Sequence, residues 1–92
     1  MPILGEMPVP RRLIDFEFSP TALVRRIVRG AVEQDMVRMH GSIVAAFEIY
    51  GAETAERDVF SAARRLAATI SPDCHTMVAE AIGSHANEGL AG

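Results

Sequence analysis

From Pro20 to Tyr50 the chain keeps the apolar rhythm of an α-helix for 31 residues. Unbroken, that helix would be about 46 Å long. A compact chain of 92 residues has a radius of gyration near 12 Å and a diameter of only about 30 Å. The stretch must therefore break, or the chain must assemble with others. Gly30 is the better break: Arg25, Arg26 and Arg29 precede it and Glu33 and Asp35 follow it, the charge order that two successive helix dipoles favour. Gly41 is the rival hinge.

The second half of this stretch, Ala31 to Tyr50, is the harder part to house. Val32, Met36, Met39, Ile43, Ala46 and Tyr50 recur at alternating spacings of four and three, and Val37, Val44 and Phe47 widen the stripe. Only Gln34, Arg38, Gly41, Ala45 and Glu48 remain as a polar or small seam. A helix apolar over most of its circumference needs cover on more than one side. This helix is expected to be central, in a symmetric dimer with Met36, Met39, Ile43 and Phe47 at or near the interface. Met36 and Met39 could instead line an adaptable groove, but ordinary core packing is the simpler use of both.

Upstream, residues 1–10 hold three of the five prolines and read as a flexible arm. LIDFEF then alternates, with Ile14, Phe16 and Phe18 on one face and Leu13, Asp15 and Glu17 on the other, the pattern of a half-buried strand. Its apolar face adds Phe16 to the candidate interface. Ser19-Pro20 opens a helix, the hydroxyl capping free N–H groups and the proline standing where its missing donor costs nothing. Phe18 and Leu23 are spaced for a hydrophobic staple across that cap.

Downstream, Gly51 ends the long stretch and GAET supplies a loop, with Thr54 as cap for a third helix over Ala55 to Thr69. Ile70-Ser71-Pro72 repeats the apolar-Ser-Pro opening, and Cys74, Met77, Val78, Ala81 and Ile82 make a fourth apolar stripe that Gly83 stops. Residues 84–92 have no periodicity and read as a disordered tail. The expected architecture is mainly α: a short N-terminal β-strand, then three to four helices in one domain over 11–83, assembled as a helical-bundle dimer.

Composition narrows what such a domain can do. The net charge is −3, against nonspecific binding of nucleic acid, and every one of the nine cations is Arg. Charge is uneven along the chain: five Arg stand against two acids from Arg11 to Arg29, and four against nine from residue 30 onward. Arg25, Arg26 and Arg29 are the densest basic patch. A single cysteine, Cys74, can form no internal disulfide, which points to a reducing cytoplasm. No segment approaches the roughly 20 apolar residues of a membrane span.

A strand, a helix of about ten residues and a longer helix resembles the order of the ribbon-helix-helix family, over about residues 12–50. That resemblance implies a dimer whose paired strands enter the major groove of DNA. Here the outward strand residues would include Asp15 and Glu17, which phosphates repel. The strand is better suited to pairing with a protein edge.

Asp73-Cys74-His75 places a thiol in the first turn of a capped helix, where its thiolate is favoured. Adjacent helical residues point about 100° apart, however, and Cys74 belongs to the apolar stripe, so no nucleophilic pair is expected. His40, His75 and His85 show neither i, i+4 pairing among themselves nor a Cys-x-x-Cys companion, so neither a metal site nor a cofactor is expected. The sequence thus reads as a cytoplasmic homodimer, not an enzyme, that binds another protein as an adaptor, inhibitor or anti-regulator. A DNA-binding repressor or antitoxin and a structural subunit of a larger assembly are the alternatives.

Overall fold

A computed structural model of the chain describes residues 18–91, with side chains through residue 86. Within them run α1 (Pro20–Val32), α2 (Met36–Ala55), a π-helical turn (Glu56–Phe60), α3 (Ser61–Ile70) and α4 (Pro72–Ala91). The protein is mainly helical, and no strand occurs among the described residues. The expected arm at 1–10, and the expected strand apart from Phe18, lie outside the described residues; Phe18 itself sits in a bend.

Both Ser-Pro openings act as caps. Ser19 Oγ accepts from the Ala22 amide at 3.2 Å, and Ser71 Oγ accepts from the Cys74 amide at 3.1 Å. Phe18 and Leu23, the expected staple, line the same groove above the first cap. Each cap satisfies one of the four amides a helix start leaves without an internal partner.

The long stretch breaks, but at neither glycine proposed for it. Gly30 and Gly41 are both helical, and the turn falls at Glu33–Asp35. Gln34 adopts a left-handed φ of 57°. Its amide donates to Ala31 O at 3.2 Å, and the Asp35 amide donates to Gly30 O at 2.7 Å. This is a Schellman ending with glutamine where glycine is usual. Asp35 then caps α2, its Oδ1 accepting from the Arg38 amide at 3.1 Å. Gly30 serves packing instead, because a Cβ there would lie 2.8 Å from the Met39 nitrogen. Losing that Cβ is what lets α1 and α2 approach so closely.

The central helix is α1, in place of the α2 stretch expected for that role. It touches α2, the π turn, α3 and α4, whereas α2 packs chiefly on α1, the π turn and α4. The physical reason is the cleaner stripe: Leu23, Val24, Ile27, Val28 and Ala31 bury together while Arg25 and Arg29 stay outside. Met39, Ile43 and Ala46 carry α2 into the same core. Alanines at 31, 46, 55, 63, 67 and 81 are all buried, which keeps these helices close.

Gly51 interrupts α2 as expected, with φ 80° and ψ 162°, a conformation open essentially to glycine. The loop expected after it is absent, since one glycine turns the chain and helical backbone resumes at Ala52. Thr54 is accordingly inside a helix and caps nothing. The π turn then places two consecutive residues, Val59 and Phe60, in the core, with the Phe60 ring 5.0 Å from that of Phe47. Gly83 does not stop α4, which continues through 84–91, the segment expected to be a tail. A helical glycine costs only about 1 kcal/mol relative to alanine, and burial of Val78, Ala81 and Ile82 outweighs it.

Candidate functional site

Two concave surfaces flank α2. The first, of about 500 Å³, lies between the start of α1 and the first turns of α2. Phe18, Leu23, Val37, Gly41 and Ala45 form its apolar and small lining, and Arg26 and Arg38 its charged part. Arg26 is held there by stacking, its guanidinium carbon 5.1 Å from the centre of the Phe18 ring. Phe18 in turn is fixed by its carbonyl, which accepts from Tyr50 Oη at 2.5 Å. Ser42 Oγ donates to Arg38 O at 2.8 Å, so its hydroxyl is already engaged. Beside the groove Val37 is 84 % exposed, Val44 is 38 % exposed, and a Cβ on Gly41 would meet nothing within 4 Å. Val37, Gly41 and Val44 follow the four-three spacing of one helix face, and none of the described residues covers that face.

The second groove, of about 310 Å³, lies between α2 and α4 and is lined by Met36, Met39, His40, Met77, Glu80, Ala81 and Ser84. At its side His40 Nδ1 stands 2.8 Å from His85 Nε2, with ring centres 5.0 Å apart and planes inclined by 58°. At that distance one ring N–H donates to the lone pair of the other. Sequence reading missed this pair, because 45 residues separate the two histidines and no local spacing announces it.

The expected interface residues are dispersed. Met39 and Ile43 are buried in the chain's own core, Phe47 packs on Phe60, and Phe16 lies outside the described residues. Among the described members of the set only Met36 is open, at 42 % exposure.

The basic patch is dispersed too. Arg29 Nε pairs with Glu33 at 3.0 Å, Arg26 lies over Phe18, and Arg25 is exposed on the far side of α1 from the core. Elsewhere Arg64 pairs with Glu56, and a hydrogen bond from Arg57 to Asp58 raises the Arg57 pKa above its ordinary value, keeping it cationic. Cys74 is partly buried against the core and its neighbour His75 is exposed. Among the described residues no three His, Cys, Asp or Glu side chains gather as metal ligands, and no helix is long and apolar enough to cross a membrane.

Comparison of the chain with family models, with curated proteins and with solved structures returns no match.

Proposed function

We propose that this chain is a small interaction protein of the cytoplasm, not an enzyme, which pairs with a second copy of itself and in that form binds another protein as an adaptor, inhibitor or anti-regulator. The observation that carries the reading is the uncovered face of α2, where Val37 and Val44 flank Gly41 with open space above it. A small residue between two branched apolar ones lets a second helix approach closely, and the stripe is self-complementary about Gly41. An antiparallel crossing there sets Val37 of each copy beside Val44 of the other, the isologous contact of a two-fold dimer. The interface thus lies on the opposite face of α2 from Met39 and Ile43, which the fold has used for its own core.

The engaged cations support a protein partner over nucleic acid. Arg29 is paired with Glu33, Arg38 lies within 3.9 Å of Glu33 and 3.8 Å of Asp35, and Arg26 is stacked, so little unpaired positive charge faces outward on this side among the described residues. The test is affinity capture from the native host with the wild type and with Val37→Glu as parallel baits, followed by reconstitution with the purified candidate. A partner that binds the wild type directly and is lost with Val37→Glu supports the reading. Tight binding of duplex DNA with a steep salt dependence, and no protein partner, would establish the repressor alternative instead.

A further inference from the structure

The geometry points to a Cu(I) site made by His40, His85 and Met36, at the edge of the groove between α2 and α4. It stands independently of the interaction reading, since it uses a different side of α2. Met36 and His40 are four residues apart on α2, so they occupy one face, a turn from each other. His85 reaches the pair from α4 and brings its Nε2 to 2.8 Å from His40 Nδ1. Met77, two helical turns before His85, lines the same groove as Met36 and His40 and offers a second thioether. Two imidazole nitrogens are thus brought into contact from α2 and α4, and two thioether side chains line the groove that His40 borders.

The donor set selects the metal. Zinc is held by His, Cys, Asp or Glu, and although Glu80 lines the same groove as His40, no three such side chains gather closely enough to hold a metal among the described residues. Thioether sulfur is soft and suits Cu(I), for which two imidazoles and one sulfur are a sufficient set. Bonds of about 2.0 Å from the metal to each nitrogen require the nitrogens to be about 3.3–4 Å apart. The rings must therefore separate by about 0.5–1.2 Å from their 2.8 Å contact, a small rotation for two partly buried side chains. The proton now shared between the rings moves to the outer nitrogen of its own ring. A neutral imidazole pair thus takes up the metal with no net proton release.

The test is an anaerobic titration of the full chain with Cu(I), under ascorbate, against a chromophoric Cu(I) chelator. Cys74→Ser is used throughout, because a free thiol binds Cu(I) by itself. One Cu(I) per chain is expected, with X-ray absorption showing nitrogen and sulfur in the first shell. His40→Gln and His85→Gln should each weaken binding by more than the roughly 10–100-fold that loss of a merely supporting residue brings. Met36→Leu, a volume-conserving change at a half-exposed position, should retain the helical circular dichroism and weaken Cu(I) binding by at least about tenfold. Zn²⁺ should not bind stoichiometrically. Uptake that vanishes with Cys74→Ser alone, or that is equally tight in the folded His40→Gln/His85→Gln variant, would overturn the assignment. A first shell without sulfur, unchanged by Met36→Leu, would do the same and does not depend on the histidine variants folding.

Discussion

Gly30 and Met39 are the point of closest approach between α1 and α2: a Cβ built on Gly30 would sit 2.8 Å from the Met39 nitrogen and 2.9 Å from its Cβ. Neither neighbour is the far end of a flexible side chain, so the backbones themselves would have to part. Gly30→Ala should therefore destabilise the protein by about 1–3 kcal/mol through overpacking, although alanine is the better helix former by about 1 kcal/mol. Gly83→Ala is the control, since nothing lies within 4 Å of its Cβ, its backbone is helical and it lies away from the uncovered face of α2. That change should stabilise by about 0.5–1 kcal/mol. Urea denaturation of both variants reads the two signs directly; equal effects would mean that Gly30 is not a contact at all.

Gln34 holds φ 57° at the end of α1, where an L-residue is disfavoured by about 1–2 kcal/mol. Gln34→Gly should remove that strain while keeping the two amide hydrogen bonds, and raise stability by up to about 1 kcal/mol. A rise in the urea midpoint with an unchanged slope is the expected result.

The two serine caps should be of similar worth. Ser19→Ala and Ser71→Ala each leave a helix amide without its acceptor and should each cost about 1 kcal/mol. Because the two caps accept from different amides and share no partner, the double variant should lose the sum of the two within about 0.5 kcal/mol. A marked departure from additivity would show that the openings of α1 and α4 are coupled.

What could be read from the sequence was what local chemistry decides. Ser19-Pro20 and Ser71-Pro72 specify their helix starts from neighbouring residues alone, and Gly51 marks an interruption because its backbone conformation excludes other residues. Gly30 was misread because glycine signals either a break or a close approach, and only the position of Met39 tells them apart. The true break hides behind Gln34, a residue that usually continues a helix and here ends one. Gly83 carries the same ambiguity, resolved by the buried stripe of α4. The apolar breadth of α2 was legible, but not which part the chain would cover itself. That depended on α1 and α4 taking the side of Met39 and Ile43 and leaving the side of Val37. The His40–His85 contact had no local signal, since it exists only once α4 has packed against α2.

The uncovered face of α2 carries the central claim, and the mass of the chain in solution tests it most directly. Sedimentation equilibrium of the wild type at micromolar concentration should give about twice the 10.0 kDa chain mass, and Val37→Glu should return it to a single chain with its helical spectrum intact. A wild type that remains at the single-chain mass up to hundreds of micromolar, with a cooperative melt, would contradict the account.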